Sequence, residues 1–130
     1  MDPKARFLQG PENSCQIDNG AGALTVGDPV ISSAGLAIAG TDGGRLMGVC
    51  GEDFAANATK KKMEICCPGS VWLFSKNSGT TVAVDAAVAL AGSGLVDGGS
   101  STNPAIGYRV PHAAEDTTHI AVRIAPHEIA

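Results

Sequence analysis

The sequence predicts an all-β domain, a small barrel or sandwich of short strands, and three observations predict it. Turn-forming residues recur at close spacing, with 17 glycines and 7 prolines in 130 residues. Apolar and polar residues alternate with a period of two in Met63–Cys67 and again in His119–Ile124, as half-buried strands require because successive side chains point to opposite faces. No long amphipathic helical pattern occurs anywhere in the chain. Eight to ten short strands follow from the turn spacing.

The stretch from Leu46 to Phe74 organises the rest. Two apolar runs, Leu46–Cys50 and Met63–Cys67, flank a polar excursion through Asp53, Asn57, Thr59 and Lys60-Lys61-Lys62. Alternation places Met63, Ile65 and Cys67 on one face and Lys62, Glu64 and Cys66 on the other. Pro68-Gly69 then breaks the ladder, since proline lacks a donor and glycine tolerates positive φ. Val71-Trp72-Leu73-Phe74 follows as a third strand. Either Val71 and Leu73 face the core, leaving Trp72 and Phe74 as an interface, or the register is reversed with Trp72 inside.

Before this stretch, residues 1–22 are polar and irregular and read as a flexible N-terminal arm, because they offer too little apolar surface to offset the entropy of ordering. Lys4, Arg6, Phe7 and Leu8 are its candidate contact residues for a partner. Residues 23–130 form the single β domain. Short strands through Leu24–Val26, Val30-Ile31 and Leu36–Ile38 are separated by Gly27-Asp28-Pro29 and Ser32-Ser33-Ala34-Gly35. After Phe74, Ser75–Gly79 reads as a hairpin connection into a strand at Thr81–Val84. The alanines of Asp85–Leu90 suit a single helical turn, but its length and flanking glycines favour a further strand, and residues 92–103 read as an exposed loop around a brief Leu95-Val96 pairing. Ile106–Val110 and His119–Ile124 close the domain.

Composition excludes several functions. A formal net charge of −4 argues against broad binding to a nucleic-acid backbone. Aromatic residues are only 4%, so a large ring-lined ligand pocket is not expected. The opening MDPKARFLQG lacks the apolar segment of a secretory signal, and no run approaches the roughly 18 apolar residues needed to span a bilayer. The expected place of synthesis and assembly is therefore a cytoplasm. Cys15, Cys50, Cys66 and Cys67 lack paired C-x-x-C spacing and read as small hydrophobes or thiols. His112, His119 and His127 lack metal-site spacing, and no G-x-S-x-G elbow occurs. No enzyme, metal or cofactor is expected. Lys60-Lys61-Lys62 reads as a solvated loop, or as a contact for an acidic patch on a partner.

Several stretches resemble the head decoration, or capsid cement, proteins of tailed bacteriophages. They are Gly27-Asp28-Pro29-Val30, Leu46-Met47-Gly48-Val49, Met63–Trp72, Ala105-Ile106-Gly107-Tyr108 and Ala121-Val122-Arg123-Ile124, within roughly residues 22–125. The resemblance implies a β-tulip or barrel fold and a homotrimer bound to the major capsid protein. Such a trimer sits at three-fold and quasi-three-fold positions on the outside of the expanded capsid and stabilises the virion without chemistry. It also implies that the leading arm reaches onto neighbouring capsid subunits, a role falling to residues 1–22. A carbohydrate- or cell-surface-binding β module is the alternative, with Trp72 and Tyr108 as its aromatic platform.

Overall fold

Two β rings follow one another along the chain in the computed structural model, which describes residues 5–41, 43–77, 81–91, 96–98 and 104–128. The first ring is a closed five-stranded barrel in the order β2-β4-β3-β5-β6. Its strands are β2 (Asn13–Asn19), β3 (Pro29–Ser33), β4 (Leu36–Ala39), β5 (Gly48–Cys50) and β6 (Lys61–Ile65), preceded by β1 (Ala5–Gln9). The second is a six-stranded sheet in the order β1-β7-β11-β10-β8-β9. It uses β7 (Val71–Ser75), β8 (Ala87–Leu90), β9 (Val96–Gly98), β10 (Pro104–Arg109) and β11 (His119–Glu128). This sheet curls until Lys76, one residue past β7, makes a parallel bridge to Val96 in β9.

The two rings are copies of one topology. The barrel runs β2-β4-β3-β5-β6 and back to β2, and the second ring runs β7-β9-β8-β10-β11 and back to β7. The one parallel contact falls at the same place in each, β2 on β4 and Lys76 on Val96. Registers agree residue by residue: Val30 faces Gly48 as Val88 faces Gly107, and Gly48 faces Ile65 as Gly107 faces Ile124. Turn hydrogen bonds repeat as well. The amides of Gly27 and Asp85 donate to the carbonyls of Cys50 and Arg109, and those of Asp28 and Ala86 to Thr25 and Ala83. The interiors correspond too, since Leu24, Val30, Ala37 and Met63 fill the barrel where Val82, Val88, Val96 and Val122 fill the second ring.

β1 has no counterpart in the first ring. It lies antiparallel on β7, pairing Ala5 with Phe74 and Phe7 with Trp72. The equivalent edge of β2 is open among the described residues: there β2 meets β4 at Asp18 and Asn19, while Asn13–Ile17 pair on one side alone, with β6.

Residues 5–19 therefore correct the expectation of an irregular arm over residues 1–22, being strand over Ala5–Gln9 and Asn13–Asn19. Each strand carries two inward apolar residues at alternate positions, Ala5 with Phe7 and Cys15 with Ile17. So short a pattern is faint in sequence, and pairing with β7 and β6 supplies the hydrogen bonds that fix it. Lys4 lies outside the described residues. Thr81–Val84 is not a strand but the approach to the turn before β8. Cys66, not Cys67, is the more deeply buried of the pair. β6 ends at Ile65, after which the Cys66 amide donates to the Met47 carbonyl and the alternation is lost.

The Pro68-Gly69 turn carries the chain from one ring to the next. Gly69 has φ of 87° and the Ser70 amide donates to the Cys67 carbonyl at 3.0 Å. The stretch from Leu46 to Phe74 thus spans β5, β6 and β7.

Candidate functional site

Trp72 and Phe74 occupy the interior of the second ring, at 3% and 0% exposure. The register with Trp72 inside is the one adopted, and neither residue is a surface contact. Val71 and Leu73, on the opposite face of β7, are buried as well. The Trp72 indole Nε1 donates to the Ser70 hydroxyl at 3.0 Å, so its polar end is satisfied inside the protein. Phe7 meets the Trp72 ring edge-to-face at a centroid separation of 5.5 Å. Of the arm residues, Phe7 is thus a packing residue and Leu8 is half-buried, while Arg6 is exposed.

Two of the three lysines in the run pair with carboxylates. Lys61 Nζ lies 3.7 Å from a Glu52 carboxylate oxygen, and Lys62 Nζ lies 3.1 Å from Glu64. The Lys60 amide donates to Asp18 at 3.0 Å from a residue in left-handed conformation, with φ of 54°. Exposed pairs of this kind contribute little to stability.

A cleft of about 290 Å3 separates the two rings. Arg6, Phe7 and Trp72 line it on one side and Val26, Val49 and Glu64 on the other. Val49, on β5 of the barrel, is 2% exposed and belongs to the apolar cluster that includes Ala5 and Trp72. The outer face of β5 is therefore covered by the second ring.

The corresponding face of the second ring is open. Tyr108 stands where Val49 stands, each one residue past the glycine that faces Ile124 or Ile65. It is 39% exposed where Val49 is 2% exposed, while Val84 and its counterpart Val26 are exposed alike, at 45% and 50%. The Tyr108 ring stacks on His127 with centroids 4.7 Å apart and planes inclined by 13°. His127 Nδ1 lies 2.7 Å from the Ala125 carbonyl, which requires the proton on Nδ1 and orients the imidazole under the phenol ring. Arg123, exposed, pairs with Tyr108 across the ladder.

A clamp borders this face. Arg109 Nε and Nη2 reach the two carboxylate oxygens of Glu115 at 2.9 and 3.2 Å, and its Nη1 donates to the Val82 carbonyl. Glu115 also accepts from the Ala121 amide at 2.9 Å. Burial opposes ionisation of Glu115, but the bonds from Arg109 and the Ala121 amide outweigh it and hold the carboxyl below its ordinary value. In the barrel the Lys62 amide, at the place of Ala121, is capped the same way by Glu52 at 2.8 Å.

The remaining titratable groups serve local structure. Asp116 accepts from the Thr118 amide and hydroxyl and from His119, which lowers its pKa to about 2. His119 is half-buried against Asp116, at 3.2 Å, and His112 Nδ1 accepts from the Ala114 amide. Burial, then the charge of Asp28, pushes the Cys50 thiol up to about 12. Burial pushes Cys66 up as well, with its neighbour Cys67 adding to the effect. Among the described residues no three metal-ligating side chains converge.

Sequence reasoning named Tyr108 but missed Val84, the Arg109–Glu115 clamp and the repeat itself. A signal for the repeat exists. Val26-Gly27-Asp28 and Val84-Asp85-Ala86 lie 58 residues apart, and Gly48 and Gly107 lie 59 apart. No family model matches the chain, and no curated protein matches it.

Proposed function

We propose that the chain is a capsid decoration protein that binds the outer surface of an expanded viral capsid as a homotrimer and stabilises it. One observation carries this reading. The stretches that resemble the decoration proteins fall on the framework of the two rings: the turn into β3, β5, β6 through β7, β10 and β11. They include Gly48 and Gly107, where strands approach too closely for any side chain. The resemblance therefore involves the frame and not only the loops.

Such a protein acts by attachment. Three linked copies engage a shell at high effective concentration, and binding only the expanded form stabilises that form by linkage. The arm mechanism is not part of this reading, because residues 5–19 are committed to the rings. The glycan-binding alternative retains Tyr108 alone, since Trp72 is buried.

The test is co-sedimentation with expanded phage heads lacking their own decoration protein, followed by heating. Retention on the heads and a raised rupture temperature are expected. Protein that stays in the supernatant with every head preparation overturns the proposal.

A further inference from the structure

The contact between the rings supplies a template for a contact between molecules. Inside one chain, the outer face of β5 in the barrel (Val49 and, at its margin, Val26) receives the β1 side of the second ring, with Phe7 on Trp72. Because the rings are copies, each half of this contact has a counterpart. The counterpart of the β5 face is the β10 face, where Tyr108 is 39% exposed against 2% for Val49, with Val84 at its margin as Val26 is at that of β5. The counterpart of β7 beneath β1 is β2, whose edge over Asn13–Ile17 pairs with no strand on that side among the described residues. Among the described residues neither counterpart is covered by the other ring as its equivalent is.

We infer that the Tyr108–Val84 face binds the open β2 edge of a second copy of this chain, repeating between molecules the ring-to-ring contact made within one. Continuity with the intrachain contact selects the occupant. The face and the edge are different surfaces, so the contact joins the face of one copy to the edge of another.

The chemistry of the two surfaces agrees. The Ser14 amide takes its own neighbour's side chain, Asn13 Oδ1, at 2.8 Å, so its N–H points away from β6 and toward the free edge. Ser14 and Gln16 are exposed polar residues on that edge. An open strand edge binds readily to another chain. Tyr108 replaces the smaller Val49 at the position that meets it, and a ring reaches farther where the receiving edge lacks the covering strand β1. Its hydroxyl suits a polar edge, and aromatic residues of this kind anchor interfaces.

The association depends on the repeat and not on capsid binding, so it can hold where that reading fails. Light scattering on the eluting full chain tests it, with two variants and their mixture. The wild-type protein is expected at a multiple of the chain mass. Tyr108→Asp, which blocks the face, and Gln16→Asp, which blocks the edge, are each expected as monomers, with unchanged Trp72 emission reporting an intact fold. Val84→Asp repeats the face test at a second position, and Ala56→Asp, on the exposed turn of the barrel, is expected to leave the wild-type mass unchanged. Mixing Tyr108→Asp with Gln16→Asp is expected to give a one-to-one dimer, because one good face and one good edge remain. A monomeric wild-type protein, folded face and edge variants that keep the wild-type mass, or a mixture that stays monomeric overturns the inference.

Discussion

Gly48 and Gly107 occupy one position in two copies of the same ring. A Cβ on Gly48 would lie 2.3 Å from the Glu64 carbonyl oxygen, and one on Gly107 would lie 1.8 Å from that of Arg123. Each glycine faces an isoleucine one residue on, Ile65 or Ile124. The close approach of two strands is thus a fixed part of the ring and not an accident of one loop.

Gly107→Ala and Gly48→Ala are expected to destabilise the protein by about 3 kcal/mol each, as overpacking against backbone does. Gly22→Ala, where a Cβ meets nothing within 4 Å, is the control. Urea denaturation midpoints decide it; equal midpoints for Gly22→Ala and Gly107→Ala would contradict the account.

The two-residue turn between β3 and β4 holds Ala34 at φ 52° and Gly35 at φ 81°, with Ser33 opposite Leu36. Two consecutive positive φ values define the hairpin turn that favours Asn-Gly. Alanine pays roughly 1 kcal/mol to sit there. Ala34→Asn is expected to recover most of it, read as a rise in melting temperature.

Glu115 makes stability fall in acid. Its carboxyl titrates lower in the folded protein than in the unfolded chain, so its contribution is complete above the usual glutamate value of about 4.3 and is lost as the pH falls through the folded value. Glu115→Gln is expected to cost about 2 kcal/mol at neutral pH, since bonds to charged groups are lost. The variant's stability should also fall less between pH 6 and pH 3 (both about) than the wild-type protein's. Parallel pH profiles for the two would show that the clamp is idle.

The thiols divide by burial. Cys15 and Cys67 are half-buried, whereas Cys50 and Cys66 are buried with raised pKa values. A thiol reagent at neutral pH is expected to label Cys15 and Cys67 first and the other pair only on unfolding, because the thiolate is the reactive form. Peptide mapping after a short exposure tests this, and early labelling of Cys66 would count against it.

Phe7→Ala is expected to cost about 2 kcal/mol and to shift the emission of Trp72 to the red, because the covering ring is removed. An unchanged spectrum would mean that β1 does not seal the second ring.

Much of the strand content was legible because alternation is local. Met63 among charged neighbours and Ile120-Ala121-Val122-Arg123-Ile124 declare their inward faces without help from the rest of the chain. The strand at Ala87–Leu90 was legible from its bounding glycines despite its alanines. The arm misled because Ala5 and Phe7 are too few to mark a strand, and only the exposed edge of β7 gives them a partner. The site was less legible still. Trp72 and Phe74 look the same in sequence whether they face a partner or a core, and Val84 becomes an exposed apolar residue only once the turn before β8 is formed.

The sequence alone determined that the chain is all-β, and that Leu46–Phe74 runs strand, loop, strand, turn, strand. Those properties follow from side-chain alternation and from glycine and proline, which act within a few residues. The tertiary structure decided that the strands make the same ring twice, that β1 seals one copy and leaves the other open, and that Tyr108 is bare where Val49 is covered. Those properties depend on pairings between residues dozens of positions apart, whose partners the local pattern does not name.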